Sequence, residues 1–165
     1  RWKIVRPTTM AIDSAGIIVA TLDGDIRRVF WFDKVAYDEE LGDFKEGKTK
    51  VRALVLRGAS LYAALEGDLQ GVWVRDVTEP GGQWRCVIKA ESYDQSTVKE
   101  LLFSNMGLLV RTGNGVSLFQ SNVFKDLIFD GSKGTMAKYV NAITLRRNKI
   151  WLAGRGFSLI EIKSK

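Results

Sequence analysis

Four times along this chain the same pattern returns: an apolar stretch, a short turn, a second apolar stretch and a glycine turn. This periodicity restricts the possible folds more than any other feature of the sequence. Ile17, Leu61, Leu108 and Ile150 each open the second stretch of a unit, and successive anchors stand 44, 47 and 42 residues apart. Seven residues upstream of them are Met10, Leu54, Leu101 and Ile143; five upstream are Ile12, Leu56, Phe103 and Leu145. All eight are apolar. The second stretches run into Gly24, Gly67, Gly113 and Gly154, and third stretches follow that read VFWF, GVWV, VSLF and SLIEI.

The stretches are short and rich in β-branched and aromatic residues, which favours strands. The clearest unit predicts strands over 51–56, 61–65 and 69–74, with a fourth over 84–88 behind a turn-rich segment. Further strands are predicted over 1–5, 8–13, 17–22 and 26–32, over 98–103, 108–112, 116–120 and 124–129, and over 139–145, 150–153 and 157–162. Residues 33–50 break the pattern and read mostly as a mobile surface loop with at most one irregular strand. No helical period runs beyond three turns, so the fold class is all-β. Three- to four-stranded units at this spacing match the blades of a β-propeller. The prediction is one domain over 1–165, with ~44-residue blades at about 8–50, 51–90, 97–130 and 139–165. The last unit lacks a fourth strand, which residues 1–5 can supply. Their Trp2-Lys3-Ile4-Val5 matches Trp84-Arg85-Cys86-Val87 position by position in character, and such a loan hides an exposed sheet edge. The ring then closes within the chain. The alternative is half of an eight-bladed ring, completed by a second copy or by more of a longer parent chain.

Composition narrows the chemistry. Histidine is absent, which removes the commonest general base and zinc ligand. Cys86 is the only cysteine; it allows no intrachain disulfide, fits a reducing, intracellular compartment, and is expected to be a small buried apolar residue. No apolar run approaches the ~20 residues of a membrane-spanning helix. The chain begins at Arg1 rather than Met, as a processed product or a piece of a larger protein would. A net charge of +6 suits acidic partners, although the cations are spread rather than clustered.

The acids at Asp23-Gly24-Asp25 and Glu66-Gly67-Asp68 occupy equivalent turns. A calcium site needs about 6–8 oxygen ligands, and the other two glycine turns carry no acid, so turn chemistry explains these residues better. Gly131-Ser132-Lys133-Gly134-Thr135 lacks phosphate-loop spacing. Trp31, Trp73 and Trp151 fall at period-matched positions expected to pack between blades. No metal, cofactor or catalytic residue is expected.

On these four units, which cover nearly the whole chain, the sequence resembles the β-propeller repeat superfamily, in particular short-blade propellers of the regulator-propeller and WD40-like kinds. It has no Gly-His and Trp-Asp pair, no kelch-type double glycine, and no sialidase-type Asp turn. The resemblance implies a non-enzymatic scaffold that binds a protein partner. In such folds ligands meet the loops between strands two and three and between blades. The residues so implied are Arg6, Asp25, Asp68, Asn114, Lys133 and Arg155. Two alternatives remain: a polyanion or nucleic-acid binder driven by net charge, and a glycan-binding or hydrolytic propeller.

Overall fold

The computed structural model of the protein describes residues 6–32, 35–44, 48–89, 97–113, 115–120, 123–126, 140–147, 149–153 and 157–161. Every regular element among them is a strand, in four antiparallel sheets. The first sheet holds β1 (Pro7–Ile12), β2 (Ile17–Thr21), β3 (Asp25–Phe32) and β4 (Val35–Asp43). The second holds β5 (Lys50–Arg57), β6 (Ser60–Glu66), β7 (Gly71–Asp76) and β8 (Arg85–Lys89). The third holds β9 (Glu100–Ser104), β10 (Gly107–Arg111), β11 (Val116–Gln120) and β12 (Val123–Asp126). The fourth holds β13 (Ala142–Arg146), β14 (Lys149–Ala153) and β15 (Phe157–Glu161). In each sheet, spatial order follows chain order, so every strand pairs with its sequence neighbours.

One pairing offset is common to all four sheets. Ile12 faces Ile17, Leu56 faces Leu61, Phe103 faces Leu108, and Leu145 faces Ile150. Met10 faces Val19, Leu54 faces Ala63, Leu101 faces Val110, and Ile143 faces Leu152. Side chains alternate between the two faces of a strand, so a fixed offset assigns equivalent residues to equivalent faces. We call the face carrying the anchor residues Ile17, Leu61, Leu108 and Ile150 the front, and the other the rear.

The chain forms two compact units, Arg1–Ala90 and Glu91–Lys165. In the first, the rear of sheet one (Ile18, Ala20, Ile26) packs on the front of sheet two (Leu54, Leu61, Ala63). In the second, the rear of sheet three (Leu109, Val116, Leu118) packs on the front of sheet four (Ile143, Ile150, Leu152). Each Leu or Ile taken fully out of water contributes about 1.5–3 kcal/mol, which makes these contacts the main stabilising layers. Ala64 and Val72, on the rear of sheet two, are also inaccessible.

Buried arginines join the paired sheets. Arg28, on the rear of sheet one, lies 2.9 Å from Asp13 and 2.9 Å from Glu39, and donates to the Val77 carbonyl beyond β7. From sheet two, Arg75 and the Trp84 indole both donate to the Leu41 carbonyl. Leu41 is the extra residue of a bulge opposite Ile26 and Arg27, and a bulge turns a carbonyl out of the ladder. A Cβ on adjacent Gly42 would overlap the Trp84 indole nitrogen, so glycine is required there. In the second unit Arg111 bonds Glu100 at 2.9 Å and the Val140 carbonyl at 3.3 Å, while Glu100 also accepts from the Ile143 amide.

Three expectations change, and two apolar positions of the repeat prove exposed. The loop predicted within 33–50 contains the nine-residue strand β4. Its acidic run is tolerated because Asp38 and Glu39 pair across the sheet with Arg27 and Arg28. Met10, which the repeat sets level with the buried Leu54, Leu101 and Ile143, is 67% exposed and Ile12 is 75% exposed, because sheet one buries its rear face and they lie on its front. Trp151, expected between blades, is 43% exposed on the rear of sheet four. Cys86 is exposed rather than buried, since β8 ends the strand order of its sheet. The predicted strand 1–5 lies outside the described residues.

Candidate functional site

At one end of the first unit three connections come together: the β2–β3 turn, the β6–β7 turn and the β4–β5 connection. The first is closed by a Gly24 amide bond to the Thr21 carbonyl, and the Phe44 amide then donates to the Gly24 carbonyl at 2.9 Å. The second is closed by a Gln70 amide bond to the Gly67 carbonyl at 3.0 Å. Gly67 has φ +106°, and a Cβ on it would overlap the Lys48 carbonyl oxygen. The turn therefore lies flat on the connection only because residue 67 has no side chain.

Arg6, Asp25 and Asp68 are placed at this end. The Arg6 carbonyl accepts from the Leu22 amide at 2.9 Å, and the residue is exposed with φ 56°. Asp25 opens β3 and binds Arg27 at 2.9 Å on the front of sheet one. This hydrogen bond first, and then the one Arg27 donates to Asp38, hold the guanidinium even more firmly protonated than usual. Asp68 sits at the tip of its turn, exposed, and accepts from the Lys48 amide at 3.3 Å. Glu66, the other acid of that turn, pairs with Arg52. Three of the four acids that might have started a metal site, Asp25, Glu66 and Asp68, are thus engaged by cations and an amide. Among the described residues, no group of three or more His, Cys, Asp or Glu could hold a metal ion. Asn114, Lys133 and Arg155 lie outside the described residues.

Leu69 was not foreseen as a site residue. The pattern assigned it to a strand over 69–74, but β7 begins at Gly71, which leaves Leu69 at the centre of the 67–70 turn. It is exposed, and its carbonyl accepts from the Trp73 indole at 3.0 Å. An apolar side chain is thus held outward on a turn fixed by two hydrogen bonds, with Asp68 and Lys48 beside it. The signal available in the sequence was Gly71 itself, two residues after a leucine that otherwise looked like strand.

The opposite end of the unit carries an open cleft of about 550 Å³ between the start of β6 and the β7–β8 loop. Ser60, Arg75, Asp76, Glu79, Gln83 and Arg85 contribute to its wall. Two of its charges serve the fold: Arg75 reaches Leu41, and Asp76 caps its own loop. The Thr78 hydroxyl and then the Thr78 amide bond the Asp76 carboxylate, and they hold its pKa below the usual value.

Four antiparallel meanders and no helix among the described residues define an all-β protein. No known family model matches it, and no curated protein matches it. Among solved structures, the computationally designed Ika4 protein superposes with a TM-score of 0.60 over 98% of this chain and 94% of Ika4, at 14% identity. The designed Ika8 protein superposes with a TM-score of 0.55 over 94% of this chain and 58% of Ika8, also at 14% identity. At that identity the likeness is one of fold. No helix among the described residues is long and apolar enough to cross a membrane.

Proposed function

We propose that this chain is a blade-type protein of the β-propeller superfamily that works as a non-enzymatic interaction platform, binding a protein partner at the loop end of its first unit. The blade assignment draws support from two features: the pairing offset common to the four sheets and, within each unit, the packing of a rear face on a front face. Sheets stacked as blades have these properties.

The observation that carries the binding assignment is the exposed Leu69, held on a rigid turn among charges of both signs. Anchors of binding surfaces are apolar groups with a polar rim, and a turn already fixed in place loses little entropy when a partner docks. Exposed Asp23, Asp43 and Asp68 accompany exposed Arg6 and Lys48. Mixed charge of this kind suits a folded or peptide partner better than a polyanion.

A photo-crosslinking residue placed at Leu69, with Thr144 as the control position, tests the assignment. The expected result is a discrete protein adduct at 69 that is absent at 144 and is lost in a Lys48→Glu, Arg6→Glu variant. Equal adducts at both positions, or a nucleic-acid ligand whose binding falls steeply with salt, would refute it.

A further inference from the structure

Four charged residues contribute to the cleft at the end of the first unit away from Leu69: Arg75, Asp76, Glu79 and Arg85. Every residue of its wall lies between 60 and 85, so the cleft is complete within that unit. The pairing register sets Ser60 opposite Asp76 and Val74 opposite Arg85, all on the rear of sheet two. Val74, 4% exposed, adds an apolar patch. The β7–β8 loop forms the rest of the wall. It is fixed by the Val77 amide bond to the Ala59 carbonyl at 2.8 Å and the Gly82 amide bond to the Glu79 carbonyl at 3.0 Å. Pro80 and Gly81, with φ +72° at the glycine, take the central positions of that second turn, as a type II turn favours. The wall is therefore formed before any ligand arrives, which lowers the entropy lost on binding.

The charges differ in what they already do. Arg75 donates to the Leu41 carbonyl, and Asp76 holds its own loop through Thr78. Arg57, opposite Ser60 in the register, has an interaction of its own. Glu79 and Arg85 are exposed, and among the described residues neither side chain makes a hydrogen bond or an ion pair, with the other or with any further group. The Ser60 hydroxyl and the Gln83 amide are likewise unused. A cation and an anion thus stand unpaired in one preformed wall, with two neutral hydrogen-bonding groups in the same wall.

A guanidinium presents a flat fork of donors that fits a carboxylate with two parallel bonds. A carboxylate such as Glu79 accepts from an ammonium group. A phosphate would gain Arg85 but meet the carboxylates of Asp76 and Glu79, and like charges brought together are costly. A ligand carrying both signs meets an opposite charge at each end. The volume, about 550 Å³, is that of a small-ligand site.

We infer that this cleft binds a zwitterionic dipeptide, with its carboxylate on Arg85, its ammonium on Glu79, and Ser60 and Gln83 supplying further hydrogen bonds. The inference is separate from the partner at the loop end, because the two sites share no residue.

An NMR titration of the isotope-labelled chain with alanyl-alanine tests it. The expected result is saturable shifts at the backbone amides of residues 78–85. Arg85→Gln should weaken binding at least about tenfold, the value of a charge-assisted hydrogen bond. Glu79→Gln should weaken alanyl-alanine similarly but leave N-acetyl-alanyl-alanine, which has no ammonium group, unchanged. Both side chains are unpartnered, so the spectra of the variants should otherwise match the wild type and show that they are folded. No saturable shift at the solubility limit of the dipeptide overturns the inference. So does binding insensitive to either variant, or inorganic phosphate that binds as tightly as alanyl-alanine, which would mark a simple anion site.

Discussion

Replacing Arg28 by Met tests the buried ion pair that sheet one builds on the face it turns toward sheet two. The methionine keeps most of the apolar stem but removes the charge shared by Asp13, Glu39 and the Val77 carbonyl. The partners contribute unequally. The Glu39 side chain is 40% exposed, and an ion pair with a group so wetted is worth at most about 1 kcal/mol. The Asp13 side chain is only 7% exposed, and a buried carboxylate stripped of its cation costs about 3–5 kcal/mol. Asp13 still accepts from the Ala15 and Gly16 amides, which places the loss near the lower limit, about 3 kcal/mol. For a chain of this length that corresponds to a fall of about 6–12 °C in Tm. Asp13→Asn keeps the amide bonds and should cost about 1–2 kcal/mol. The double variant should be less destabilised than the sum of the two by about 1–2 kcal/mol. Urea titration followed by tryptophan fluorescence reads this, since Trp2, Trp31, Trp73 and Trp84 all precede residue 90. A loss below about 1 kcal/mol in the single variant, or strict additivity, would refute a buried Asp13–Arg28 pair within sheet one.

Gly67→Ala should destabilise by about 2–3 kcal/mol, because an alanine at φ +106° is strained and its Cβ overlaps the Lys48 carbonyl; thermal melting reads the loss. Thr78→Val removes the hydroxyl bond that most lowers the Asp76 pKa and leaves the Thr78 amide bond in place. The Asp76 carboxyl should therefore move part of the way up toward its ordinary value in an NMR pH titration. Its lowered pKa means that Asp76 supports the fold above the ordinary carboxylate pKa. That support is lost as pH falls through the lowered value, and the variant should lose it at a higher pH than the wild type. An unmoved titration would remove the hydroxyl as the main cause.

Most of the strand pattern was legible in the sequence, because each sheet is a meander whose apolar anchors fall at fixed offsets from a turn. Strand β11 falls where the pattern puts it, over 116–120, and most of the other described strands lie within one or two residues of expectation. Strand β4 was missed for a physical reason. Hydrophobic periodicity has no signal in Tyr37-Asp38-Glu39-Glu40, where the cross-strand order comes from charge. The acidic run set against Arg27-Arg28 was the clue available. Burial was harder to see than strand position. Met10 and Leu54 are equivalent in register, yet one is exposed and the other buried, because burial depends on what stacks on a face and a periodic pattern does not carry that. At the site, the sequence drew attention to the acids of the turns, of which Asp25 and Glu66 pair with arginines and Asp68 accepts from the Lys48 amide. Leu69 was hidden inside an apparent strand whose true start is two residues later.

The neighbour-to-neighbour order of strands within every sheet also bears on how the molecule assembles. A strand need wait only for the next few residues of chain before it finds its mate, so each closure encloses a short segment and loses little chain entropy. For an all-β protein this is an unusually local arrangement, and local arrangements reach the native state sooner. Synthesis from the amino terminus presents each sheet whole before the next begins, so hairpins can form in the order in which they leave the ribosome.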